Sequence, residues 1–157
     1  MACAAVAIVA VPSPDRLQVV PRRTRVLTVD SQPLVQEGLA AMINREDDMK
    51  VVATASTGAE ALDDVRRERP DVVTLDLLLP DIPGEQLARQ ILAEFPQTRI
   101  VAITSARIHE RAVDAGIHGY VSKAAPVQDL VQAIRQVGAG ERMIPGPVRV
   151  QEARWKH

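Results

Sequence analysis

Short aliphatic runs alternate along this chain with stretches in which apolar residues recur at helical spacing. The runs are Val26-Leu27-Thr28-Val29, Val51 to Ala55, Asp71-Val72-Val73-Thr74-Leu75, Ile100-Val101-Ala102-Ile103 and Gly119-Tyr120-Val121-Ser122. Each is nearly continuous in apolar character, as expected of strands buried on both faces. Between them, Leu34, Val35, Leu39, Met42 and Ile43 mark a first helix, with Pro33 in its first turn. Ala59, Leu62 and Val65 mark a second that stops before Pro70. Leu87, Ile91, Leu92 and Phe95 mark a third that stops before Pro96. A short helix is expected near His109 to Ala115, with Gly116 as its C-cap. Val127, Leu130, Val131, Ile134 and Val137 mark the last, with Pro126 near its start and Gly138 after its end.

Strand and helix in alternation predict an α/β fold: a doubly wound, five-stranded parallel sheet covered on both faces. In such sheets ligands bind at the carboxyl edge, where the strand order reverses. Four polar residues end four of the runs: Asp30, Asp76, Thr104 and Lys123. If the runs are parallel strands, two acids, a hydroxyl and an amine converge there. That set can hold a divalent cation and a phosphoryl group.

Composition narrows the classes. The chain has 157 residues, 46% hydrophobic but only 2% aromatic, so the core is aliphatic. A net charge of −1 argues against bulk attraction to nucleic acid. The single cysteine, Cys3, fits a reducing compartment and hence a cytoplasmic protein. No apolar stretch is long enough to span a bilayer. Residues 1–23 are small, apolar and punctuated by Pro12, Pro14 and Pro21, and are expected to be a disordered extension. The folded domain is expected over 24–140, and 141–157 reads as a linker and polar tail. His109 and His118 read as surface residues, and Arg22, Arg23 and Arg25 as a solvated linker patch.

With the runs and edge residues placed, the chain resembles the receiver domain of bacterial two-component response regulators. The segment Pro70 to Gly84, with Asp76-Leu77-Leu78-Leu79-Pro80 at its centre, is similar to that family's strand, acceptor aspartate, proline and glycine. Ala115-Gly116-Ile117-His118-Gly119-Tyr120-Val121-Ser122-Lys123 is similar to its run from glycine to lysine. Gln32-Pro33-Leu34-Val35-Gln36-Glu37-Gly38-Leu39 looks like the first-helix opening of the NarL/FixJ-type branch. The resemblance implies the flavodoxin-like (βα)5 receiver fold and a signalling role rather than an enzyme. Asp76 would take a phosphoryl group from a sensor histidine kinase. Mg²⁺ would sit on Asp76, Asp30 (through water) and the backbone carbonyl of Leu78, Lys123 would contact the phosphate, and Thr104 and Tyr120 would form the switch.

Three departures qualify that expectation. The family carries adjacent acids after its first strand, whereas here the pair is Asp30-Ser31. A serine oxygen is neutral and a poorer ligand for a hard cation, so Mg²⁺ binding is expected to be weak. The segment from Thr104 to Lys123 is about three residues short, close to one helical turn, which puts the output face in doubt. The branch continues into a DNA-binding helix-turn-helix, and this chain ends at His157. The expectation is therefore an atypical, stand-alone receiver that signals through a downstream protein partner, without direct DNA binding; a homodimer is compatible with it. The alternative is a phosphorylation-independent pseudo-receiver, a constitutive interaction or dimerisation module. A small α/β enzyme acting on phosphorylated metabolites fits the same edge but lacks a Gly-rich phosphate loop.

Overall fold

In the computed structural model of the chain, the described residues are 6–9, 18–105 and 114–143. Two short strands come first, β1 (Val6–Val9) and β2 (Gln18–Pro21), paired antiparallel as a separate two-stranded ribbon. The N-terminal stretch expected to be disordered thus carries paired strands. Both are built largely from the β-branched residues that suit a pleated surface.

The main body follows as β3 (Thr24–Val29), α1 (Pro33–Asn44), β4 (Met49–Ala55), α2 (Gly58–Glu68), β5 (Val72–Leu75), α3 (Gly84–Glu94), β6 (Arg99–Thr104), β7 (Gly119–Ser122) and α4 (Val127–Gly138). The five strands β3 to β7 form one parallel sheet in the order β4-β3-β5-β6-β7. The fold is the α/β, flavodoxin-like arrangement expected from the alternation. Of the expected helix near 109–115, residues 109–113 lie outside the described residues.

Side-chain alternation along the strands divides the core in two. Leu27, Val29, Val73, Leu75, Ile100 and Ala102 pack against α2 and α3. Val26, Val72, Val101 and Ile103 pack against α1 and α4 on the opposite face. Helix boundaries follow local chemistry. Pro33 occupies the first turn of α1, where its missing N–H costs nothing. Thr57 caps α2 by accepting from Glu60 N–H at 3.2 Å, and the Glu60 carboxylate returns to Ser56 N–H at 2.8 Å.

Two expectations are corrected here. His118 is buried, not on the surface. Its Nδ1 accepts from Ile100 N–H at 3.0 Å, and its own N–H donates to Ile100 C=O at 2.9 Å. An imidazole acceptor completes the ladder where β6 begins, and helical spacing gives no hint of such a role. Arg25 is a half-buried residue of β3, not part of a solvated patch. Its guanidinium binds the Glu68 carboxylate at 3.0 Å, and its backbone N–H donates to Asp71 at 2.9 Å.

Beyond the boundary expected at 140, Met143 lies beside the edge of β7. Its N–H donates to His118 C=O at 2.8 Å, and its C=O accepts from Tyr120 N–H at 3.2 Å, giving a parallel bridge to Gly119.

Candidate functional site

The strand order reverses at β3, which lies between β4 and β5 while its neighbours in sequence diverge to either side. Asp30 follows β3 and Asp76 follows β5, so both acids stand at the switch point. Ladder bonds fix their backbones: Asp30 N–H donates to Ala55 C=O at 3.0 Å, and Asp76 N–H to Val29 C=O at 2.9 Å. Asp30 is 1% exposed and Asp76 5%.

Lys123, just past β7, joins them. Its Nζ lies 2.9 Å from Asp30 Oδ2 and 2.9 Å from Asp76 Oδ2, while its side chain keeps 18% of its surface exposed. Each remaining carboxylate oxygen accepts a backbone N–H: Gln32 to Asp30 Oδ1 at 2.8 Å, and Leu78 to Asp76 Oδ1 at 3.0 Å. Burial opposes the charge on Lys123, but hydrogen bonds and charges from Asp76 and Asp30 more than offset it, holding the ammonium above the usual lysine range. One cation and two anions leave a formal excess of one negative charge in a partly buried pocket.

The structure thus brings together three of the sequence-predicted residues. Leu78 also sits at the site, its N–H directed to the acceptor carboxylate and its side chain exposed. Thr104 ends β6 beside Ser122 of β7, which puts its backbone at the same edge; its side chain lies outside the described residues. Tyr120 is 8% exposed and packs against the α2–α3 face. Burial first, with Glu85 and Asp114 adding to it, pushes its phenol up to about 12. Among the described residues its hydroxyl has no hydrogen-bond partner.

Two carboxylates and a backbone carbonyl make an oxygen donor set of the kind Mg²⁺ accepts, since that ion keeps several of its waters. The set fits such a cation, with the Lys123 ammonium seated between the carboxylates as an internal competitor. Ser31 is exposed beside Asp30. Among the described residues no cluster of three or more His, Cys, Asp or Glu could hold a metal.

The loop after Asp76 is strapped down at both ends. Gly84 N–H donates to Leu77 C=O at 3.0 Å, and a Cβ on Gly84 would lie 2.5 Å from Leu77 Cα, so only glycine fits. Asp81 accepts from Gly58 N–H at 2.8 Å and Ala59 N–H at 3.0 Å at the start of α2, and these bonds hold its carboxyl below the usual range. Gln36 of α1 reaches the ends of both β3 and β4. Sequence reasoning missed Asp81 and Gln36, because both act on backbone groups that only the tertiary fold brings within reach. Beyond Lys123 a mainly apolar hollow of about 170 Å³ opens between α1 and α4, lined by Leu39, Ile103, Val121, Lys123 and Leu130 among others.

Comparison with known proteins agrees with this geometry. The family model for the response regulator receiver domain matches residues 26–135. The chain is 38% identical over 132 residues to the response regulator GacA of Pseudomonas viridiflava, covering 82% of this chain and 62% of that protein. It is 30% identical over 130 residues to the response regulator protein VraR of Staphylococcus aureus, covering 81% and 62%. The chain therefore spans about three-fifths of the length of the curated relatives it matches. Among solved structures, it is similar to a two-component response regulator of the LuxR family from Aurantimonas sp. SI85-9A1, with a TM-score of 0.74 at 35% identity, covering 78% of this chain and 89% of that one. It is also similar to the signal receiver domain of the putative response regulator NarL from Mycobacterium tuberculosis, with a TM-score of 0.74 at 27% identity, covering 77% and 100%.

Proposed function

The chain belongs to the response regulator receiver domain family, and from that premise we propose that Asp76 accepts a phosphoryl group from a sensor histidine kinase. Receiver domains of this family are signalling modules rather than typical enzymes. The observation that carries the proposal is Lys123 Nζ at 2.9 Å from both Asp76 and Asp30. In the transfer, an Asp76 oxygen attacks phosphorus while the P–N bond of the phosphohistidine breaks and the imidazole leaves. Little covalent help is needed; alignment and charge neutralisation decide the rate. Leu78 N–H fixes the carboxylate rotamer, and Lys123 supplies a point charge to the arriving phosphate. A bound Mg²⁺ would offset the negative charge that Asp76, Asp30 and the phosphoryl oxygens bring together. Asp30, Asp76 and the Leu78 carbonyl would hold it, weakly because Ser31 supplies no second acid.

Thr104 and Tyr120 would form the switch, Thr104 by hydrogen bonding to the new phosphoryl oxygen and Tyr120 by taking the buried position seen here. Output would go to a downstream protein partner in the cytoplasm. The apolar hollow beside Lys123 supports recognition by protein contact. A second reading is a phosphorylation-independent pseudo-receiver, favoured by Ser31 and by the partner already held by every oxygen of Asp30 and Asp76.

One experiment separates the two. The protein is incubated with acetyl phosphate and Mg²⁺, and in parallel with beryllofluoride, and its intact mass and tryptophan fluorescence are followed. A phosphoryl adduct that disappears in Asp76→Asn supports phosphotransfer; no adduct in the unmutated protein supports the pseudo-receiver.

A further inference from the structure

We propose that Gln36 is a positioning residue of the acceptor site: from α1 its side-chain amide clamps the backbone turn that carries Asp30. The inference rests on the phosphoacceptor reading above. Gln36 Nε2 lies 2.5 Å from Asp30 C=O, 2.7 Å from Ala55 C=O and 3.2 Å from Ser56 Oγ. Two of these acceptors are carbonyl oxygens, which cannot donate. The nitrogen, not the oxygen, of the amide must therefore face them. Ala55 C=O also accepts from Asp30 N–H at 3.0 Å. The ends of β3 and β4 thus share one acceptor, and Gln36 closes the group from the helix side.

The clamp matters because of what Asp30 must do. Its Oδ1 is set by Gln32 N–H and its Oδ2 by Lys123, so both contacts depend on the path of the backbone from Asp30 to Gln32. Elsewhere that turn has little to hold it. Ser31 and Gln32 are exposed, and Gln32, the N-cap of α1, makes no side-chain capping bond. With no second acid at position 31, the orientation of Asp30 carries the whole contribution of this turn to the site. Groups that orient such a carboxylate without touching the ligand are worth roughly tenfold or more in affinity.

The test uses the full chain with four variants. Gln36→Leu removes the donor. Gln36→Glu sets an acceptor against two carbonyls, Gln36→Arg restores N–H donors, and Asp76→Asn is the blank. Two quantities are read: the concentration of Mg²⁺ giving half-maximal acetyl phosphate-dependent labelling, and hydrogen exchange at the Gln32 amide without metal or phosphodonor. We expect Gln36→Leu and Gln36→Glu to raise the half-maximal Mg²⁺ concentration about tenfold and to speed Gln32 exchange, while Gln36→Arg stays near the unmutated values. Unchanged Gln32 exchange in Gln36→Leu overturns the clamp. So does Gln36→Arg behaving like Gln36→Leu, because the effect would then follow from side-chain volume rather than donation. If the unmutated protein takes no label at all, the phosphoacceptor reading fails, and the exchange measurement still decides the clamp.

Discussion

Lys123 Nζ and Asp76 Oδ2 lie 2.9 Å apart, a contact that ties the end of β7 to the end of β5. The same nitrogen holds Asp30, so one ammonium separates two nearly buried carboxylates. Replacing it by Lys123→Met leaves both acids facing each other. Removing one partner from such a buried group costs about 3 kcal/mol, somewhat less here because Lys123 keeps partial contact with solvent. Urea denaturation at pH 7 should show that loss, and Lys123→Met combined with Asp76→Asn should recover part of it. A midpoint identical to the unmutated protein would falsify the bridge.

Ser31 stands beside Asp30 where a second acid would strengthen the donor set. A unit charge about 4 Å from a cation contributes roughly 4 kcal/mol at an effective dielectric of 20, before desolvation is subtracted. Ser31→Asp should therefore tighten Mg²⁺ binding by at least about tenfold. Isothermal titration of both proteins checks this, and equal affinities reject it.

His118 makes stability depend on pH. Burial, then the charges of Arg99 and Arg142, push its imidazole down to about 4 from the ordinary 6.5. Between those values the unfolded chain binds a proton that the folded protein refuses, so stability rises with pH across that window. The contribution is complete above about pH 6.5 and is lost progressively as pH falls toward 4, by about 3 kcal/mol in total. His118→Gln should flatten the difference in denaturation midpoint between pH 7 and pH 5. A slope as steep as the unmutated protein's would assign it to other groups.

Two glycines should respond in opposite directions to alanine. Gly84→Ala drives a methyl into the backbone of Leu77 and should cost on the order of 2 kcal/mol, shifting the turn that holds Asp76. Gly38, inside α1, has nothing within 4 Å of where a Cβ would sit. Gly38→Ala should stabilise by roughly 0.5–1 kcal/mol through helix propensity. Thermal melts of the two variants shifting the same way would contradict this.

The sheet and its helices were legible because each strand is an unbroken aliphatic run and each helix carries its own start or stop, such as Pro33 or the residue before Pro70. The convergence of Asp30, Asp76 and Lys123 followed from parallel strand ends, which place sequence-distant residues side by side. What escaped was polar contact with backbone. Gln36 reads as an ordinary helix residue and Asp81 as a turn former, and His118 looks like a surface imidazole until Ile100 is seen to need an acceptor. The paired strands of the N-terminal ribbon escaped because short β-branched runs between prolines satisfy a linker and a hairpin equally well.

Met143 adds a mechanical consequence. It hangs by two hydrogen bonds from the stretch that contains Tyr120, so the outgoing chain is leashed to the residue expected to reorient on signalling. A sideways slip of that strand would tug the leash directly, delivering the acceptor pocket's state to whatever polypeptide lies downstream without passing through a helical face.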